Sequence, residues 1–272
     1  MKKKSLMQSM VAAPHVVWSV LFIVAPLVIV AYYAFTTADG SFTFDNIFAL
    51  SEHTHTFAMS IAMSVIATFI CFLVGYPLAY VISRAGATGQ RMMMMLLMLP
   101  MWTNLLIRTY SMMAIMDDGG FLNGILTTLN LPTVHLIGTK GAVIFGMVYD
   151  FLPYMVMPIY TTMAKMDPRL LEAAGDLGCN SMRTLTRVVF PLSLSGVLSG
   201  VTMVFVPSIS TFYISQKLGG GTFELIGDTI ERQFQNETTY HVGAAISLVM
   251  MILILLSLAV MNRFSNESEE EE

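Results

Sequence analysis

Charge is scarce in this chain. Only 12% of its 272 residues are Asp, Glu, Lys or Arg, whereas 55% are hydrophobic and the mean hydropathy is +0.68. Soluble globular domains carry about 25% charged residues, so this composition excludes one. Cysteine is nearly absent. Cys71 lies inside an apolar run and Cys179 in a polar stretch, which leaves neither a disulfide framework nor a thiolate metal site. The net charge of -4 gives no basic footprint for nucleic acid. No Gly-x-x-x-x-Gly-Lys-Ser/Thr sequence is present, and the glycine run Gly219–Gly221 continues into Thr222, so the chain has no phosphate cradle with which to hydrolyse ATP. Enzyme constellations are missing as well. His15 and His241 stand near the ends of apolar runs without a nucleophile, and the pair His53 and His55 lacks the further ligands of a metal site.

Long apolar runs are what the sequence has in abundance. A helix needs about 20 apolar residues to cross a bilayer. Six such runs are found, at about 16–36, 57–82, 92–115, 141–164, 191–213 and 242–262. Lipid cannot satisfy free backbone groups, so the spans must be helices. The fold expected is an all-α integral membrane protein with six transmembrane helices, organised as an N-terminal segment 1–15, a transmembrane domain 16–262 and an acidic tail 263–272. The run after Lys2, Lys3 and Lys4 is expected to be a retained helix, because no small-x-small cleavage site followed by a soluble domain comes after it. The final Ser265–Glu272 run is expected to be a solvated, disordered tail. Cations set the topology: with the N-terminus inside, ten Lys and Arg fall in cytoplasmic segments and only Lys140, Lys217 and Arg232 in outer loops. Both termini and the segment 165–190 are then cytoplasmic. Pro26, Pro77, Pro100, Pro153, Pro158 and Pro207 are expected to kink some of the spans.

The segment 165–190 carries the most specific pattern. Asp167 followed by Pro168 starts a helix, because the carboxylate can cap free N–H groups and proline suits the first helical position. Leu170, Ala174 and Leu177 recur at helical spacing and are expected to form one apolar face, with Glu172 and Asp176 on another. Gly178 is expected to end the helix, and Met182, Leu185 and Val189 lead back to the membrane at Pro191. The positions Glu172-Ala173-Ala174, Gly178, Val188 and Pro191 resemble the EAA loop of binding-protein-dependent ABC importer permeases, with Phe190 in place of the usual Leu as a mild departure. That resemblance implies a type I (MetI-like) permease fold and a bacterial inner-membrane location. It also implies that Leu170, Glu172, Ala173, Ala174, Leu177, Gly178 and Pro191 form a coupling helix and loop seated in a groove of a separate ATPase. Without the resemblance, the same periodicity fits an ordinary interfacial helix.

A second stretch, Leu99-Pro100-Met101-Trp102-Thr103-Asn104-Leu105-Leu106-Ile107-Arg108, is similar to the third span of the B-type permeases of spermidine/putrescine importers, with Met101 replacing a Phe. Leu152–Pro158 and Leu171–Gly178 are similar too. The resemblance implies three partner subunits and a binding protein: a second, related permease in a heterodimer, two ATPase subunits and an extracytoplasmic polyamine-binding protein. It further implies that this chain binds no cofactor, that ATP and magnesium are used by the ATPase, and that the cargo moves by alternating access.

Trp102 and Asn104 lie in that motif and are candidate pore residues; the alternative is that Trp102 packs between helices and Asn104 bonds across them. Asp150 is a carboxylate within the fourth span, a placement that costs about 2.5 to 3.5 kcal/mol and calls for a protein or water neighbour. Tyr149, Phe151 and Tyr154 flank it with π faces that can hold an ammonium. Asp150 and Tyr154 are therefore candidates for the substrate path, against an internal ion pair with Arg108 or a solvated position near the outer interface. Tyr213 and the outer carboxylates Glu224, Asp228 and Glu231 are candidates for attracting cargo or meeting the binding protein, unless they are simply solvated. Two other readings stay open: an ABC permease for another small solute, and an ion-coupled secondary transporter using Asp150.

Overall fold

The computed structural model describes residues 6–236 and 238–270, so Lys2, Lys3, Lys4 and the last two glutamates of the acidic tail lie outside the described residues. Among the described residues the regular structure is helical apart from one isolated bridge between Thr36 and Phe42. Helices α1 (Leu6–Ser19) and α2 (Ala25–Ala34) are joined by a π turn, Val20–Val24, and are followed by the short α3 (Asp45–Phe48) and the long α4 (Thr54–Arg84). Then come α5 (Ala87–Trp102), α6 (Leu105–Met116), α7 (Phe121–Thr128), α8 (Lys140–Ala164), α9 (Pro168–Asp176) and α10 (Ser181–Thr184). A second π turn, Leu185–Val189, leads to α11 (Phe190–Leu192), α12 (Leu194–Ser210), α13 (Tyr213–Leu218), α14 (Ile226–Gln235) and α15 (Tyr240–Glu270).

Both π turns have one cause. Pro26 and Pro191 each stand two residues beyond the turn, at Val24 and Val189. A proline ring has no N–H to donate and clashes with the carbonyl four residues back, so the backbone widens to i→i−5 bonding just before it. The bonds Ala25 N to Val20 O and Phe190 N to Leu185 O are of that type.

The chain divides into two compact units, residues 1–54 with 229–253 and residues 55–228 with 254–272. In the first, Ala34, Ala244 and Ala245 are fully buried together with Leu248, and the His241 Nδ1 lies 3.1 Å from the Tyr33 carbonyl oxygen. The alanines let two helix backbones approach closely. Val20, Leu21, Phe22 and Val28 face outward uncovered, as suits a helix against lipid.

In the second unit α8 forms the centre, with Met147, Met155, Val156, Ile159 and Met163 all completely buried. It packs on α12 along a glycine seam. A Cβ added at Gly196 would lie 2.6 Å from Thr162 Oγ1 and 2.9 Å from the Pro158 carbonyl oxygen, and one at Gly200 would lie 3.0 Å from the Met155 carbonyl oxygen. These two residues form a Gly-x-x-x-Gly pattern, the small-residue spacing that brings membrane helices into backbone contact. It was a readable signal that the apolar runs overshadowed.

Among the described residues four helices are long and apolar enough to cross a membrane, Ala13–Ala34, Asp45–Arg84, Lys140–Ala164 and Tyr240–Met261, and counting two bent pairs as one span each gives six. The run 92–115 is not one straight helix: α5 and α6 are separated by a 93° bend. Pro100 removes an N–H in the last turn of α5, Thr103 and Asn104 turn extended, and Asn104 Oδ1 accepts the Leu106 N–H at 2.8 Å to start α6. The second bend, 72°, falls at Ser193 between residues 181–192 and 194–210. The tail also differs from expectation, for α15 continues as helix to Glu270 instead of ending in a disordered segment. Ser, Asn and Glu tolerate a helix that is already nucleated by an apolar span.

Candidate functional site

Two places in the second unit collect the residues singled out from the sequence. The first is the loop between α8 and α12. Asp167 Oδ1 accepts the Arg169 N–H at 2.9 Å, which caps α9, and Pro168 occupies its first position. At the other end Cys179 N donates to the Ala174 carbonyl at 3.0 Å and Gly178 N to the Gly175 carbonyl at 2.9 Å. That bond pair is a Schellman closure, and it requires the left-handed φ of +79° observed at Gly178. No atom lies within 4 Å of a Cβ built there, so the demand for glycine is one of backbone conformation alone.

The apolar faces of α9 fall differently from the expected grouping of Leu170, Ala174 and Leu177. Ala174 is buried, and Leu171, like Met166 and Leu185, packs against the buried cluster that includes Met163 and Val189. Leu170 faces outward, Leu177 is 85% exposed and Met182 is 66% exposed. One turn position separates Leu170 from Leu171, and Leu171 is the residue that meets the core of the unit. Leu170, Ala173 and Leu177 therefore present an apolar outer strip next to exposed Glu172. After Asn180 caps α10 through the Arg183 N–H at 2.9 Å, the chain re-enters at Pro191, and buried Ser193 Oγ lies 3.1 Å from the Tyr76 hydroxyl on α4. The loop is thus held at both ends while its outer strip is uncovered.

The second place surrounds the break in the third span. Arg108 Nε on α6 lies 2.6 Å from Asp150 Oδ1 on α8, and Asp150 is only 3% exposed. The guanidinium also donates through Nη1 to the Pro100 carbonyl at 2.6 Å and lies 5.9 Å from the centre of the Tyr149 ring. Of the alternatives open for Asp150, the ion pair with Arg108 is the one present. A cleft of about 370 Å³ adjoins it, lined by Thr103, Ile107, Arg108, Ser111, Phe145 and Tyr149 among others.

Further along α6, the Lys217 ammonium lies 5.4 Å from the Tyr110 ring centre and 5.8 Å from that of Tyr213, and the two rings meet edge to face at 6.3 Å. Tyr110 and Lys217 were not singled out from the sequence. Tyr213 and Lys217 share a helix face at i, i+4, but nothing local places Tyr110 beside them. Trp102 is 74% exposed at the end of α5, Asn104 spends its carbonyl oxygen on the α6 cap, and Tyr154 lies 6.4 Å from Phe151 with its ring partly open. Asp228 is corrected: it is buried and accepts from Ser215 Oγ and Leu225 N, each at 2.8 Å, so it organises the turn into α14 and is not an open surface carboxylate.

The described residues thus form a helical, multi-pass membrane chain with a capped, outward-facing loop between two spans, and the family to which it belongs consists of transport subunits. The chain matches the family described as binding-protein-dependent transport system inner membrane component over residues 5–267, and it belongs to that family, with the type I ABC importer permease fold. Among curated relatives it is similar to the spermidine/putrescine transport system permease protein PotB of Salmonella typhimurium, 36% identical over 275 residues that cover 97% of this chain and 96% of the relative. It is also similar to the protein of the same name from Haemophilus influenzae, 34% identical over 256 residues and 90% of each chain. Among solved structures, a chain of a bacterial alginate ABC transporter in complex with an alginate pentasaccharide-bound periplasmic protein superposes with a TM-score of 0.77 over 96% of this chain and 94% of the other, at 17% identity.

Proposed function

We propose that this chain is the permease subunit of an ATP-driven importer of polyamines such as spermidine and putrescine, working by alternating access. The observation that carries the reading is the extensive likeness to relatives named for spermidine/putrescine transport, at 34% and 36% identity over nearly the whole chain. The chemistry agrees with a cationic cargo. Asp150 supplies a buried carboxylate, and Tyr110 with Tyr213 already holds an ammonium, that of Lys217. Trp102, Asn104, Asp150, Tyr154 and Tyr213 are assigned to the substrate path. A cation over an aromatic face gains about 0.5 to 2 kcal/mol depending on solvation, enough to guide an amine without trapping it.

The energy comes from a separate ATPase that seats on the strip Leu170, Ala173 and Leu177, with Glu172, Ala174, Gly178 and Pro191 shaping the loop. The distribution of Lys and Arg supports a cytoplasmic position for this loop and both termini, in a bacterial inner membrane. The full importer has a second, related permease, two ATPase subunits and an extracytoplasmic polyamine-binding protein.

Two measurements test these assignments. Proteoliposomes containing this chain, its neighbouring permease, ATPase and binding protein should take up labelled spermidine or putrescine saturably, and should not take up an amino acid or sulfate. ATP-dependent uptake of a different solute would keep the permease and discard the amine. Gly178→Val forces a β-branched residue into the left-handed region at about 1 to 2 kcal/mol and redirects the loop. Uptake should fall about tenfold, as expected for a loss near 1.4 kcal/mol, while ATP hydrolysis and membrane insertion persist. Uptake equal to wild type would remove the coupling role from this glycine.

A further inference from the structure

The Arg108–Asp150 pair joins three helices, and its details are unusual for a fixed structural bridge. Arg108 Nε is close to Asp150 Oδ1 at 2.6 Å, yet neither carboxylate oxygen of Asp150 receives an aligned hydrogen bond. A durable buried pair is normally forked and saturated with directed bonds. This one is held by charge. The cation side is more open than the anion side: the Arg108 side chain is 12% exposed and that of Asp150 2%. Arg108 and Tyr149 line the 370 Å³ cleft, whereas Asp150 is not among its lining residues. The guanidinium therefore stands between the cleft and the carboxylate.

Arg108 is also easily released from its other partner. The Pro100 carbonyl oxygen that accepts from Nη1 also receives the Thr103 N–H at 3.2 Å and the Thr103 hydroxyl at 2.7 Å. It keeps two donors if the arginine leaves. A departing guanidinium has room in the cleft, where the Ser111 hydroxyl is available. Asp150, by contrast, cannot be left alone, since an uncompensated buried charge costs several kcal/mol. Arg108 therefore leaves at least cost when an ammonium takes its place or a proton neutralises the carboxylate.

We propose that Arg108 is a resident competitor for an amine subsite formed by Asp150 and Tyr149: its guanidinium fills the subsite in the empty chain, and an ammonium group of the substrate exchanges with it. The exchange keeps Asp150 paired throughout. It also frees a side chain that bridges α6 to the end of α5, so occupancy of the subsite loosens the 93° bend of the third span. Arg108 is a positioning residue here. It sets how tightly the amine is held and returns to Asp150 when the amine moves on. The proposal rests on the amine reading above and adds the competitor and the mechanical link.

The test is the split between KM and maximal rate of spermidine uptake in the reconstituted complex. Arg108→Gln removes the competitor, so KM should fall about tenfold, equivalent to about 1.4 kcal/mol, and the maximal rate should fall because nothing reclaims the carboxylate. Asp150→Asn should raise KM. The double variant Arg108→Gln/Asp150→Asn carries no unpaired charge; it should assemble normally and keep the raised KM of Asp150→Asn. A double variant with wild-type KM and rate would make the pair purely structural and overturn the proposal, as would an assembled Arg108→Gln complex whose KM is unchanged or higher. If Arg108→Gln alone does not assemble, the double variant decides. A wild-type complex that carries no amine overturns the amine reading before any variant is made, so the two failures are distinguishable.

Discussion

Leu177→Asp should abolish ATP-driven uptake, by at least tenfold, while the permease still reaches the membrane in normal amount. Leu177 is 85% exposed at the end of α9 and makes little contribution to the core of its own chain, so its loss leaves the fold intact. On the docked ATPase it would be covered. Burying a leucine contributes about 1.5 to 3 kcal/mol, and a carboxylate in its place adds a desolvation cost on top. Each 1.4 kcal/mol is a factor of ten in affinity, so docking is lost across any working concentration of ATPase. Co-purification of the ATPase with the permease, measured beside uptake, separates this from misfolding. Full co-purification together with wild-type uptake would show that the strip on α9 is not the docking surface.

Gly200→Leu should destroy the permease itself. A Cβ at this position already sits 2.8 Å from Met155 Sδ and 3.0 Å from the Met155 carbonyl oxygen. The sulfur can swing aside, but the carbonyl belongs to α8, which is the buried centre of its unit. Overpacking of this kind costs about 1 to 3 kcal/mol with small insertions and more with four extra carbons. Membrane-embedded protein and its thermal unfolding temperature in detergent should both drop sharply. Gly124→Leu, on α7 where no atom lies within 4 Å of an added Cβ, is the matched control and should change neither. Equal behaviour of the two variants would mean that the glycine seam is not what holds α8 to α12.

The contrast between these positions shows what was legible in the residues alone. Local chemistry was readable: Asp167-Pro168 starts α9, Gly178 closes it, and the apolar runs announce membrane helices because lipid leaves no other conformation. Long-range choices were not. Period alone could not decide between Leu170 and Leu171 as the inward leucine, since both fit a helical stripe and only the core of Met163 and Val189 selects one. The break at Thr103 was hidden inside a continuous apolar run, because Pro100 is compatible with a kink or a full interruption. Arg108 and Asp150 stood as one possible pair among other readings, and Tyr110 beside Lys217 had no signal at all, being 107 positions away in the chain. The Gly196-x-x-x-Gly200 spacing was present to be read, and its meaning becomes specific once Pro158 and Met155 are seen facing it.

The coupling loop, the absent phosphate cradle and the amine-compatible groups meet in a single measurement: spermidine uptake by the reconstituted importer with a wild-type ATPase partner and with one whose phosphate-loop lysine is replaced. Uptake driven by ATP in the first and lost in the second is the result this account predicts. Accumulation of spermidine that persists with the disabled ATPase would contradict it, and would assign the driving force to an ion gradient acting through the permease.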